Sequence, residues 1–184
     1  MSNKVIGIAV SGKSGCGNTT TSLELARKLG FRLVNYTFRN LAVEEGLEFE
    51  QVRKLAETDS KWDKLVDERQ VREANAHPSV LASRLAIWMW KEARLKVYLD
   101  APLAIRAGRV FEREPENFPS YEAALRHTSE RDVRDHERYK SIYGIDNDDW
   151  GFADLVIDVS SIKPPEVVRI ILDRFESLRT GEDH

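Results

Sequence analysis

Gly12-Lys13-Ser14-Gly15-Cys16-Gly17-Asn18-Thr19 is the stretch on which the reading of this chain turns. A short apolar, β-branched run at residues 4–10 precedes it, and Leu23, Leu25, Ala26 and Leu29 follow at helical spacing until Gly30. Strand, glycine loop and helix in that order match the phosphate-binding pattern G-x-x-x-x-G-K-[ST] at every fixed position but one. The glycines let backbone N–H groups converge on phosphate oxygens, and the helix N-terminus adds its partial positive charge. Thr19 offers a hydroxyl for Mg²⁺. Asn18 stands where the pattern has lysine. It keeps an uncharged donor, and Lys13 in the same loop is the candidate for the missing ammonium. Residues Gly12, Lys13, Ser14, Gly15, Cys16, Gly17, Asn18, Thr19 and Thr20 are thus the expected nucleotide-phosphate site. A glycine-rich turn without a ligand is the other reading. Cys16 has no basic partner recognisable in the sequence and is expected to point away from the phosphate.

The remaining apolar runs place this loop in a sheet. Residues 31–34, 79–81, 95–99 and 155–159 read as four further buried strands. Helical patterns cover 38–45, 49–57, 62–75, 103–113, 121–142 and 164–178, with Pro115 and Pro119 separating two of them. Strands alternating with helices imply a parallel sheet covered on both faces. Two stretches, 37–78 and 111–145, are longer than a crossover needs, so each is expected to form a small unit hinged on the sheet. The last residues, 180–184, read as a frayed tail.

With 184 residues the chain makes one domain. Its 28 basic and 31 acidic side chains give a formal charge of −3, against a nucleic-acid-binding role. No apolar run approaches the ~20 residues of a membrane span, and the start reads into a strand without a signal peptide, so a cytoplasmic protein is expected. A single cysteine excludes an internal disulfide, and no Cys/His cluster has zinc-site spacing. His77, His127, His136 and His184 lack the settings of a catalytic base, and Trp88, Met89 and Trp90 read as packing residues.

Charge is distributed unevenly. Arginine outnumbers lysine 18 to 10, and seven arginines fall between Arg106 and Arg138. Within residues 129–138, Arg131, Arg134, Asp135 and Arg138 recur at i, i+3, i+4 and i+7 and share one helical face. On a solvated helix that spacing makes only weak ion pairs. Beside a phosphate loop it is what phosphoryl transfer needs, because charge gathers on the moving group.

The loop, the segment Tyr36–Arg39 followed by NLA, the helix WDKLVDERQ, the run Val80-Leu81-Ala82-Ser83-Arg84-Leu85-Ala86 and the motif ERDVRDHERYKSIYGID together resemble the cytidylate kinases, in particular their short archaeal-type branch. The similarity extends over about residues 5–178. It implies an α/β P-loop kinase: a five-stranded parallel sheet flanked by helices, with 37–78 as a nucleoside-monophosphate (NMP)-binding insertion and 111–145 as a helical lid. It also implies transfer of the γ-phosphoryl of ATP to CMP or dCMP with Mg²⁺, by a monomer that binds neither nucleic acid nor membrane. Carried over by position, Arg39, Arg84, Arg131, Asp135 and Arg138 bind CMP, and Asp67 and Arg69 contribute to its base or sugar site. Arg109 and Arg113 approach ATP. Lys13, Arg131 and Arg134 act on the transferred group.

Three features depart from the family pattern: Asn18 for the loop lysine, Ala82 for an acidic residue after the third strand, and a short NYTFR segment. Two readings of the departures follow. Either Lys13 and the lid arginines compensate, or the domain binds nucleotide with little turnover. The retained acceptor-site arginines favour the first. A kinase for another small acceptor is a further alternative, since P-loop kinases share much of this machinery.

Overall fold

The computed structural model describes residues 6–180; positions 4 and 5 of the first expected strand and residues 181–184 of the expected tail, His184 among them, lie outside the described residues, while Thr180 of that tail belongs to the last helix. Five strands, β1 (Gly7–Gly12), β2 (Arg32–Val34), β3 (Ser79–Ala82), β4 (Leu95–Asp100) and β5 (Leu155–Asp158), form one parallel sheet in the order β2-β3-β1-β4-β5. β1 is central. The loop that leaves its carboxyl end therefore opens at the edge of the sheet where ligands enter open α/β folds.

Period-two alternation divides the core between two faces. Ile8 and Val10 of β1 pack with Leu25, Val97, Leu99, Ile171 and Phe175 under the helices α1 (Asn18–Leu29) and α8 (Pro164–Thr180). Ala9 faces the other way, with Val34, Leu81, Ile87, Trp90 and Tyr98. Trp90 is fully buried and its indole donates to Asn75 Oδ1 at 2.8 Å. Trp88 stands edge-on to Tyr98 and Phe152, so these tryptophans pack as expected.

Between β2 and β3 lie α2 (Phe38–Glu45), α3 (Phe49–Thr58) and α4 (Lys61–Ala76), which share their own small core of Tyr36, Leu41, Ala42, Val52 and Val66. Side chains fix two of the helix starts: Asn40 Oδ1 accepts from Thr37 N–H at 2.9 Å, and Gln51 Oε1 from Glu48 N–H at 2.8 Å. After β4 come α6 (Leu103–Arg113), a 3₁₀ turn at Pro115–Asn117 and the long α7 (Tyr121–Tyr143). The short helix α5 (Ala86–Met89) has too few residues for a periodic pattern and is not foreseen in the sequence. Leu23 corrects one detail of the α1 pattern, since it is 57% exposed while Leu25 and Ala26 are buried. Among the described residues no helix is long and apolar enough to cross a membrane.

Candidate active site

The loop Gly12–Gly17 turns because Gly15 and Gly17 adopt φ of 88° and 86°, the left-handed region that side chains disfavour. Gly15 is constrained twice, since a Cβ there would lie 2.5 Å from the carbonyl oxygen of Arg106. Gly17 caps α1 and no side chain takes the first amides of that helix, so they remain directed at an incoming anion. Cys16 is buried, and burial pushes its thiol up to about 11, which makes it an inert packing residue.

The Asn18 amide folds back on β1. With its NH₂ toward Ser11 O (3.2 Å) and its oxygen accepting from Gly12 N–H (3.1 Å), both ends are satisfied by backbone. Lys13 points along the loop to Asp148, with Nζ 2.5 Å from the carboxylate. His136, Asp146 and Asp148 bring their ligand atoms within 4.8 Å of one another, and the Lys13 ammonium is the cation beside them.

A cavity of about 570 Å³ runs from this loop to the helices α2, α3 and α4. Its walls include Gly12, Lys13, Ser14, Gly15, Gly17, Asn18, Thr19 and Thr20 from the loop, Ala82, Ser83, Arg84 and Leu85 after β3, Arg39 and Phe49, the α4 residues Asp63, Val66, Asp67 and Gln70, and Arg113, Arg131 and Tyr139. Thr19 and Thr20 are exposed to it. Arg39 stacks on the Phe49 ring at 4.2 Å.

Arg84 is half-buried and lies 3.2 Å from Asp135. Burial opposes its charge, but Asp135 and Tyr139 outweigh that and its pKa is raised. For Arg131 the balance is the reverse: burial first, then the neighbouring Arg84, hold its pKa below the arginine range. Two crowded guanidinium groups facing one cavity are an anion site by charge, because a bound phosphate relieves both penalties.

Other expected site residues stand outside the cavity lining. Arg69 binds Glu44 at 3.0 Å and Glu73 at 3.1 Å. Arg109 donates to the carbonyls of Gly15, Val159 and Ser160, tying the loop to the end of β5. Arg138 grips Asp63 through Nε (2.8 Å) and Nη2 (2.5 Å) and also reaches Ala56 O, clasping α7 to α3 and α4. Arg134 is exposed, and Asp135 pairs with Arg84.

Sequence reasoning missed Gln70, Asp63, Tyr139 and Tyr143. Asp63, Asp67 and Gln70 are spaced i, i+4 and i+7, a signal that could have found them as one polar face. Tyr143 donates to Asp67 Oδ2 at 2.5 Å, a contact across 76 positions that no local pattern announces.

A family model described as the cytidylate kinase-like family matches residues 7–161 of the chain. Cytidylate kinase 2 of Borreliella burgdorferi is 44% identical over 173 residues, covering 92% of this chain and 94% of that protein. Cytidylate kinase of Pyrococcus abyssi is 42% identical over 166 residues, covering 89% and 90% respectively. Among solved structures, the shikimate kinase of Bacteroides thetaiotaomicron superposes with a TM-score of 0.59 over 93% of this chain and 98% of its own, at 13% identity, a likeness of fold.

Proposed function

The chain belongs to the cytidylate kinase-like family, and from that membership we propose that it transfers the γ-phosphoryl group of ATP to CMP or dCMP, giving CDP or dCDP. One observation carries the reading: a single cavity joins the glycine loop to Arg39, Arg84 and Arg131. Phosphoryl transfer asks mainly that donor and acceptor oxygens be aligned and their charge neutralised. The loop amides and the α1 N-terminus suit the phosphates of ATP, and the arginines suit the phosphate of the acceptor.

The donor is Mg-ATP. Thr19 fits as a protein oxygen for its metal, being exposed at the first turn of α1, while Ala82 brings no carboxylate from the end of β3. Magnesium neutralises phosphate charge when bound, and it commonly keeps nucleotide oxygens and waters as its other ligands. Lys13 leaves Asp148 for the donor phosphates in this scheme. Residues 111–145 close as a lid that brings Arg113 and Arg134 to the moving group, and 37–78 carry the acceptor. The attacking phosphate oxygen is ionised near neutral pH, its second pKa being about 6, so no protein base is needed.

A nucleotide-binding domain with little turnover is favoured by one observation, that Asn18 is bonded to backbone and Lys13 to Asp148. Coupled ADP-release assays with ATP plus CMP, dCMP, UMP, AMP or no acceptor separate the two. The kinase reading expects release that depends on CMP or dCMP. Tight ATP binding with silence on every monophosphate would refute it.

A further inference from the structure

Asp148 is carried by the short segment 145–149 that follows α7, and the fold fixes that segment on both sides of the carboxylate. Gly144 ends α7 at a φ of 68°. Asp146 then accepts twice, its Oδ1 from Asp148 N–H at 3.0 Å and its carbonyl from Asp149 N–H at 3.1 Å, which closes a turn. Asn147 is buried, with Oδ1 3.0 Å from His136 Nδ1, and the same ring nitrogen lies 3.4 Å from Asp148 Oδ2. Trp150 stacks on Tyr98 of β4 at 5.0 Å between ring centres. The other oxygen of Asp148 takes the Lys13 ammonium. Lys13 lines both the large cavity and a narrow crevice bounded by Gly12, Tyr98, Asp132 and Asn147, so it stands where the donor site meets this turn.

We propose that the turn at 145–149 is an autoinhibitory strap on the phosphate loop: Asp148 holds the Lys13 ammonium away from the donor until the phosphates of ATP displace the carboxylate. The inference rests on reading Lys13 as the cation of the donor site. Asn18, at the position of the usual lysine, has both ends of its amide satisfied by backbone, so the positive charge of the loop side chains is the charge of Lys13. A carboxylate on that ammonium cancels it. The moving part is the flexible lysine stem, while Asn147 and Trp150 anchor the strap on either side of Asp148. Once displaced, the Asp148 carboxylate is half exposed and passes to water at little cost. An ion pair this exposed holds its cation by only about a two- to fivefold preference. The contact is therefore a weak brake, one that a polyanionic triphosphate overcomes.

The test is a double-mutant cycle read by calorimetry on the full chain, with the β,γ-imido analogue of ATP and Mg²⁺ as the probe and no acceptor present. Salt is kept at about 0.15 M, where a Debye length of about 8 Å screens charges other than the immediate partner. Asp148→Asn keeps the size of the side chain and removes its charge. It is expected to tighten the analogue by about two- to fivefold, and to lower KM for ATP by the same factor with kcat unchanged. In the Lys13→Ala background the same substitution is expected to change the affinity by less than about 1.5-fold. Unchanged or weakened binding in Asp148→Asn would overturn the strap, since Asp148 would then be idle or would position Lys13 for the donor. A gain as large in the Lys13→Ala background would overturn it too, because the carboxylate would then act on ATP directly and not through Lys13. Loss of structure weakens binding and cannot imitate the expected gain. Binding as expected with no monophosphate phosphorylated would refute the kinase reading and leave the strap standing; phosphorylation of CMP with no coupling in the cycle would do the reverse.

Discussion

Burial pushes the Asp67 carboxyl up to about 6; the Tyr143 hydroxyl pulls it back in part, and the charge of Asp63 adds to the rise. Tyr143 and Asp63 act on this carboxyl, and its charge in turn acts on Tyr139. The native protein therefore holds the Asp67 proton to higher pH than the unfolded chain does. The contribution of this side chain to stability is present below the ordinary carboxylate range and falls as pH rises through about 6. In urea titrations, the stability of the unaltered protein relative to Asp67→Asn is expected to decline from about pH 4 to about pH 7 and then level off. A constant difference would place the carboxyl outside such an environment. Lys13 gives a second prediction: Lys13→Ala should lower kcat by about 100- to 1,000-fold, the scale of losing one preorganised contact to the transition state. Its half-exposed partner Asp148 gives little stability, so the melting temperature should barely move. An unchanged kcat would remove Lys13 from the mechanism. The place of Lys13 in the loop was legible in the sequence, but its partner was not, because an ion pair between a glycine loop and the chain beyond α7 leaves no local pattern.

The helices and strands were far more readable than their partners. The bounds of α2 and α6 follow from apolar spacing between a capping threonine and Gly46, and between Pro102 and the Pro115 break. Strand ends were misjudged by a residue or two, since β1 runs on through Ser11 and Gly12, which are buried without being apolar. The arginine excess between Arg106 and Arg138 was visible, yet its division of labour was hidden. Arg106 is buried, donates to Ala101 O and Ser14 O, and pairs with Asp132 through both nitrogens at 3.2 and 2.7 Å, fastening α6, the loop and α7 together. Arg109 and Arg138 also clasp elements, while Arg113 and Arg131 face the cavity. Removing one partner of a buried pair strands the other charge. Asp132→Ala should accordingly cost about 3–5 kcal/mol in denaturant unfolding, whereas Arg113→Ala, at an exposed position, should cost less than about 0.5 kcal/mol and act on turnover instead. Equal losses from the two substitutions would contradict this assignment.

At the scale of the molecule, the sheet sets the loop at the carboxyl end of its central strand, and α2, α3, α4 and α7 complete a cavity over it. Positive charge from four separate segments, at Lys13, Arg39, Arg84 and Arg131, converges on that cavity although the chain as a whole is acidic. Such an arrangement suits two phosphorylated molecules at once and has little use for one. It also makes water exclusion important, because an open loop would lose the phosphoryl group to hydrolysis. The most direct measurement is a single turnover with ATP labelled at the γ-phosphorus and CMP as acceptor. The label is expected to appear in the β-phosphate of CDP, with little inorganic phosphate formed. Label that stays in ATP, or leaves only as inorganic phosphate whether or not CMP is present, would contradict a phosphotransferase acting on cytidylate.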